Sequence, residues 1–326
     1  MVNEAGRDIH VLRYFSSFIS VSAGKVINVT DPKITSCPLA SHLYKGFKGI
    51  DGADKKIVRQ EIRNAIESKI RDFGFFTARR KLSGGGISIP YGASEMLMFA
   101  LKKHSIDAAV VVCDGAGTVV ADSPEVVQGI GARMNSLLFT SPIRETITRL
   151  KKLGCHIVFD SALIDQVKGV EKAIDAGYKR IAVTVSGHDS GKLREIRRLE
   201  TSGGAVITIL VVCTTGAAAA EIEQIHGYAD IVWSCASWEI RQKIGALAFL
   251  QISKQVPVFV LTKKGVDFIA SYAGNSAPLC GLDKHKQYLI SNEPGGYNIK
   301  LGNISSFLRE EKLPVLAGKN NLAAGA

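Results

Sequence analysis

Three cysteines each stand where a strongly apolar, β-branched run ends, and a thiol in that position can act as a reactive thiolate or as a metal ligand. Cys113 closes residues 107–113 (DAAVVVC), Cys213 closes residues 205–213 (AVITILVVC), and Cys235 lies just past residues 229–233 (ADIVW). Ligands of open α/β sheets bind outside the carboxyl ends of the strands, so the three thiols are expected at one edge of a sheet, around one site. The plainer alternative for any one of them is a small core hydrophobe.

Around these cysteines lie groups suited to holding an anion. Cys113 runs into Asp114-Gly115-Ala116-Gly117-Thr118, where two glycines allow close backbone approach and Thr118 adds a hydroxyl. The segment is neither a P-loop nor a dinucleotide loop, and a tight β-turn into a second short strand accounts for it equally well. Thr214-Thr215-Gly216 reads as a strand-to-helix turn whose free amides attract carboxylate, sulfonate or phosphate, or as a plain N-cap; Ser237 presents the same choice. Arg133 is the basic side chain assigned to the substrate. Asp114, Glu95 and His188 are the candidate acid–base groups beside Cys113 and Cys235, with a solvent-facing loop histidine as the alternative for His188. No nucleophile elbow and no His-Glu-x-x-His helix occurs.

The elements that must position these residues follow from hydrophobic periodicity. Residues 11–29 alternate apolar and polar side chains around Ala23-Gly24-Lys25 and read as a β-hairpin, and Ile57, Ile62, Ile66 and Ile70 mark an amphipathic helix over residues 55–73. From residue 107 strands and helices alternate: strands at 107–113, 155–159, 180–185, 205–213, 229–233 and 257–261, with helices near 124–135 and at 143–153, 165–176, 190–200, 217–227, 237–250 and 264–272. Continuous Val/Ile runs alternating with helices predict an α/β fold, a three-layer, doubly wound, mainly parallel sheet. A (β/α) barrel is the runner-up. Three segments are expected: an N-terminal hairpin and helical region (1–105), an α/β core domain (106–275), and a short irregular C-terminal extension (276–326) in which residues 297–301 form a short strand and the last nine residues a loose tail.

Composition bounds the rest. The chain has 326 residues, 46% of them hydrophobic, and a formal charge of +11. No apolar run is long enough to span a bilayer, and the acidic, polar start does not resemble a signal peptide, so a cytoplasmic protein without a membrane partner is expected. Six cysteines without a C-x-x-C pair read as reduced thiols. The wide spacing of Cys37, Cys113, Cys213 and Cys235 shows no recognisable zinc or iron–sulfur pattern, so no metal ligands are assigned and the cofactor stays unknown. Lys and Arg are scattered over helix faces such as residues 192–198 rather than gathered in a stripe with aromatics. That pattern disfavours nucleic acid and favours a general pull on a small anionic metabolite. A homo-oligomer is open.

The same segments resemble the methanogenesis marker protein 8 family over most of residues 10–270. The resemblance rests on Cys37-Pro38-Leu39, Asp72-Phe73-Gly74, Gly92-Ala93-Ser94-Glu95, Cys113 to Thr118, Gln128-Gly129-Ile130-Gly131, Ile164-Asp165-Gln166, Gly177-Tyr178-Lys179-Arg180, Thr214-Thr215-Gly216 and Cys235-Ala236-Ser237. That family commonly has Glu in place of Asp114 and often His in place of Cys213, which weakens Cys213 as a catalytic candidate. The resemblance implies a setting in methane-forming archaea. Coenzyme M, a small thiol sulfonate, is the plausible common denominator. The expectation is an enzyme of coenzyme M-linked metabolism, a lyase or decarboxylase acting on a small sulfonated or carboxylated acid. The alternative is a non-catalytic maturation or assembly factor for methyl-coenzyme M reductase.

Overall fold

The computed structural model describes residues 8–317 apart from 51 and 88, and the side chain of residue 42 is left aside. The expected tail at 318–326 and residues 1–7, the start in which no signal peptide was expected, lie outside the described residues. Strands are numbered in chain order: β1 (His10–Tyr14), β2 (Ser17–Ser22), β3 (Lys25–Val29), β4 (Ala108–Cys113), β5 (Gly117–Ala121), β6 (Ser136–Thr140), β7 (His156–Ile157) and β8 (Arg180–Ser186). They continue with β9 (Val206–Val212), β10 (Ile231–Trp233), β11 (Leu250–Ile252), β12 (Val258–Val260), β13 (Tyr288–Ser291), β14 (Tyr297–Leu301) and β15 (Ile304–Glu310).

Among the described residues these strands form two sheets, one ordered β3-β2-β1-β6 and one of eleven strands ordered β14-β15-β13-β11-β12-β10-β9-β8-β4-β5-β7. The small sheet is antiparallel throughout. The large one is mixed: β4, β8, β9 and β10 run parallel at its centre, and β11 is parallel to β13, but every other neighbouring pair is antiparallel. The expected three-layer, doubly wound, mainly parallel sheet is therefore corrected to a mixed sheet with mostly antiparallel pairing.

Three local features cause the difference. The turn after Cys113 sends β5 straight back along β4, pairing Cys113 with Gly117. The helix expected over 237–250 stops early, at a π-turn (Ile240–Ile244) and the short Gly245–Leu247 turn, and residues 250–252 become β11, a hairpin partner of β12. The segment beyond residue 275, expected to be irregular apart from a short strand at 297–301, supplies β13 and β15 as well as that strand, β14, to one end of the sheet. An apolar β-branched run reports burial on both faces; the direction of its neighbour is set by turn chemistry, which the run itself does not encode.

Burial follows the sheets. Ala109, Val111, Val119 and Leu210 pack to one side of the large sheet against Met96, Leu97, Val127 and Ile269. Val110, Val183, Ile207 and Ile209 pack to the other against Val170, Leu193, Ile196 and Ile225. A third cluster joins the small sheet to the helix Lys55–Phe73 through Ile19, Val21, Val58, Ile62 and Ile66. Because β6 comes from the middle of the chain yet pairs with β1, the small sheet is tied to the large one where β4 ends.

Candidate functional site

The carboxyl ends of β4, β8, β9 and β10 open onto a cavity of about 740 Å³. Its walls come from several parts of the chain: Pro38 and Leu39, the loop at Tyr91 leading to Glu95, Asn135 and Ser136 at the start of β6, Cys213 after β9, Trp233 and Cys235 at the end of β10, and Ser253 to Val256 between β11 and β12. Trp233 Nε1 donates to the carbonyl of Tyr91 at 2.8 Å and so fixes the loop against the strand end.

The cavity carries a concentration of strained backbone. Tyr91, Cys213, Cys235 and Ser253 line it with φ of 59°, 57°, 47° and 67°, in the left-handed region that non-glycine residues seldom adopt. Such conformations persist only where the surroundings over-determine them, and they gather at functional sites. The π-turn at Ile240–Ile244 beside Cys235 is a further irregularity of the kind found at such sites.

Three thiols converge at this end. Cys213 and Cys235 line the cavity and Cys37 immediately precedes Pro38; Cys235 lies within electrostatic reach of both Cys37 and Cys213. Burial pushes the Cys37 thiol up to about 11 and also raises Cys213, with the neighbouring Cys235 adding to each. Ser136 lies with its hydroxyl beside the Cys213 sulfur and has no well-formed oxygen or nitrogen partner.

Cations flank the thiols. Arg241 is 3% exposed, donates from Nη2 to the carbonyls of Cys235 (2.6 Å) and Gln255 (3.2 Å), and has a buried Nε with no partner. Its charge acts on both Cys37 and Cys235. Arg13, whose buried Nε is also unpaired, and Lys69 both act on Cys213. Lys69 is 4% exposed; its Nζ donates to the carbonyl of Arg133 at 2.7 Å and to Asn135 Oδ1, under the rings of Tyr14 and Tyr44. Burial, reinforced by the charges of Arg133 and Arg80, pulls its ammonium down to about 7.

The residues singled out in the sequence divide between this cavity and the scaffold behind it. Cys235 and Glu95 line the cavity. Glu95 is fully buried and accepts from Ile89 N (2.9 Å), Gln128 Nε2 (3.0 Å) and the Ser94 hydroxyl (3.0 Å). His188 lies just outside, with Nε2 2.6 Å from Arg13 Nη1 and 3.1 Å from the carbonyl of Thr215, and Nδ1 3.6 Å from Glu221. Arg133, at φ 64°, has its guanidinium over the Phe73 ring and its Nε buried without a partner.

The glycine-loop residues form a packed hairpin. Cys113 is fully buried, its Sγ toward the carbonyl of Asp114, and burial raises its thiol well above the ordinary range, Asp114 adding to the effect. Asp114 accepts from Arg80 Nε (2.8 Å) and from the amide of Phe76 (2.6 Å) in a buried ion pair. Arg80 also donates to the carbonyl of Ile130 and covers the Phe75 ring. Gly115 and Gly117 turn the chain at φ 75° and 68°; the Gly115 amide donates to Thr140 Oγ1, and a Cβ on Gly117 would come within 2.3 Å of the Ala162 carbonyl oxygen. Thr118 donates to Gln166 Oε1.

The Thr214–Gly216 turn and Ser237 likewise hold strand ends together. Thr214 donates to the Trp233 carbonyl (2.7 Å), Thr215 Oγ1 accepts from Ala236 N (3.1 Å), and Ser237 Oγ accepts from Ile240 N (3.3 Å). Gly216 at φ 77° lies against Arg13, with 2.8 Å between its would-be Cβ and Nη2. The amide of Ala218 that opens the following helix already donates to Glu221 Oε2 at 2.6 Å, so a carboxylate of the chain occupies the anion position considered for this turn.

Sequence reasoning missed Arg13, Lys69 and Arg241. Lys69 had a signal: it follows Ile62 and Ile66 at helical spacing, so a cation interrupts the apolar stripe of the helix Lys55–Phe73. Arg241, between the buried Ile240 and Ile244, carries a similar but weaker mark.

This arrangement can be set beside known proteins. Residues 10–273 match DUF2099, a family described as an uncharacterized protein conserved in archaea. The chain belongs to that family. An uncharacterized protein of the methanogen Methanocaldococcus jannaschii is similar to it, 38% identical over 289 residues, covering 88% of this chain and 98% of the relative. No solved structure gives a significant match. Cys37, Arg13, Lys69, Cys213, Cys235 and Arg241 all fall within the matched residues. No helix among the described residues is long and apolar enough to cross a membrane.

Proposed function

We propose that the cavity binds a small sulfonated or carboxylated acid and that the protein is a lyase, of decarboxylase type, acting on it. The observation that carries this reading is Arg241, a guanidinium 3% exposed that stands behind the cavity wall, bonded to the carbonyls of the lining residues Cys235 and Gln255, with an Nε–H left unpaired. A buried donor without an acceptor is costly, and an anionic ligand is the species that relieves it. Arg13 and Lys69 extend the same positive region toward Cys213, and the net charge of +11 draws anions in from solution.

The chemistry then divides among side chains. The cations hold the acid by charge-assisted hydrogen bonds. Glu95, on the cavity wall, takes or returns the proton that elimination or decarboxylation requires, and Cys235 is the thiol that meets the reacting end. The resemblance to methanogenesis marker protein 8, together with a relative from a methanogen, supports placing this acid in coenzyme M-linked metabolism.

The test is to incubate the purified chain with a panel of small 2-oxo and 2-hydroxy acids bearing a second carboxylate or a sulfonate, following substrate loss and carbon dioxide by NMR. Turnover lost in Arg241→Met and in Glu95→Gln supports the reading. Absence of turnover, with no panel member binding, overturns it and leaves the maturation-factor alternative, read out as association with methyl-coenzyme M reductase.

A further inference from the structure

The cavity is far larger than the acid group it is read as holding. Its volume of about 740 Å³ falls in the range that encloses drug-sized ligands, about 300–1,000 Å³, whereas a three-carbon acid has few heavy atoms. Strand direction gives the cavity its shape. β4, β8, β9 and β10 run parallel, β12 is antiparallel to both β10 and β11, and β13 is parallel to β11. β11 and β13 therefore point the same way as β10, and the carboxyl ends of all these strands except β12 fall on one edge of the sheet.

Each of those ends reaches the cavity wall: Val112 from β4, Ser186 from β8, Val212 from β9, Trp233 from β10, Ser253 just past β11 and Ser291 from β13. With neighbouring strands about 4.8 Å apart, the edge from β4 to β13 spans on the order of 29 Å, and the part from β9 to β13 about 19 Å. The site is thus a trough along the sheet edge rather than a pocket at one strand end.

Polarity changes along the trough. Cys213 and Cys235 stand at β9 and β10, with Arg241 behind them. From there toward β13 the wall is made by Tyr91, Leu97, Trp233, Val256, Val258 and Ile304. Val258 and Ile304 reach it because β12 and β15 are antiparallel to β11 and β13 and so begin at this edge. The charged residues of this half, Lys254 and Glu293, pair with each other and present no net charge to a ligand. At the far end Ser291 is 3% exposed, and its hydroxyl has no partner. A buried hydroxyl left unpaired is costly, and a polar group of a ligand relieves it.

We infer that the occupant is an elongated amphipathic acid. Its carboxylate or sulfonate head sits beside Cys213 and Cys235, an unbranched apolar body lies along the β10–β13 half of the trough, and a hydrogen-bonding group at its far end meets Ser291. The inference rests on the acid reading for the head and adds the rest of the molecule. Water against the apolar wall is released when the body binds, so affinity grows with the apolar area the ligand brings. The body then holds the head in place for the chemistry.

The test is calorimetric titration of the full-length chain with butanoate, hexanoate, octanoate and decanoate, and with the matching alkanesulfonates, below their micellar concentrations. Affinity should rise about three- to fourfold for each added methylene in at least one series. Val256→Trp and Ile304→Trp, which fill the trough past Trp233, should each cancel that gain, and circular dichroism reads whether the variants are folded. Ser291→Ala should weaken ω-hydroxydecanoate at least about threefold and leave decanoate unchanged. Short acids that bind with an affinity independent of chain length overturn the inference and leave the acid reading standing, with a separate co-substrate for the apolar half. A gain with length that persists in both folded tryptophan variants places the chain elsewhere and overturns it as well. Octanol bound as tightly as octanoate, or no acid bound at any length, overturns the acid reading itself and this substrate class with it.

Discussion

Cys213 and Cys235 follow the carboxyl ends of β9 and β10, neighbouring parallel strands, and both have left-handed backbone conformations, φ 57° and 47°. An L side chain in that region costs roughly 1–2 kcal/mol relative to glycine. The thiols are thus held at these positions against the local backbone preference. Cys235→Gly should consequently be more stable than Cys235→Ala by about 1 kcal/mol, and the same order should hold at Cys213. Urea unfolding of the two pairs measures it; equal stabilities within each pair would mean that the left-handed backbone carries no strain.

Gly117 bears on the hairpin in a different way. Its φ is 68°, and an added Cβ meets the Ala162 carbonyl oxygen at 2.3 Å, an atom that cannot yield without moving the backbone. Gly117→Ala should lower stability by at least ~1 kcal/mol and leave the ligand affinity of the remaining folded protein unchanged. A folded, fully stable variant that had lost ligand binding would return the loop to the role of an anion cradle.

Asp114 and Arg80 make a buried pair, with an Nε–Oδ1 distance of 2.8 Å. Removing one partner of such a pair strands the other charge away from water, so Asp114→Ala should cost ~3–5 kcal/mol. Equilibrium denaturation reads this directly. Unchanged stability with abolished turnover would instead make Asp114 a participant in the chemistry.

Lys69 gives the account a pH dependence. Its folded value near 7 lies below the ordinary lysine value of about 10.4, so above pH 7 the unfolded chain holds a proton that the folded chain has shed. Stability should therefore rise with pH from 7 upward and be lowest below 7. The groups facing Lys69 are Arg133, Arg80, Cys213, Tyr14 and Tyr44. The tyrosines are raised by burial and stay protonated in this range when folded; the buried thiols act in the opposite sense above about pH 8.5. Comparing wild type with Lys69→Met between pH 6 and 8.5 isolates the lysine. A rise that persists unchanged in the variant assigns it to another group.

What could be read in the sequence was what depends on local pattern. The strands over 108–113, 180–186 and 206–212 and the hairpin of β2 and β3 are set by β-branched runs and a Gly turn, and they occur within a residue or two of expectation. Sheet direction was not legible, because a run such as AAVVVC is buried on both faces whether its neighbour is parallel β8 or antiparallel β5. The cation cluster was hidden for a related reason. Arg13, Lys69 and Arg241 are far apart in the chain, and a cation on a helix reads as a solvated face unless its place in the apolar stripe is weighed. Cys37 lay outside the strand-end pattern that drew attention to Cys213 and Cys235, and only the packing of the following Pro38 and Leu39 against the cavity brings it near them.

The most direct measurement of the central claim, that a small anionic acid sits among these thiols and cations, is alkylation protection. The full-length chain is treated with iodoacetamide, with and without 3-sulfopropionate, succinate or 2-hydroxyethanesulfonate, and every cysteine is followed by peptide mass mapping. The account predicts that Cys280 labels equally in all samples, that Cys113 and Cys155 label only after unfolding, and that Cys235 labels in the free protein and is shielded by at least one of the acids, a shielding lost in Arg241→Met. Labelling of Cys235 at the same rate with and without every acid, in a folded protein, would contradict it.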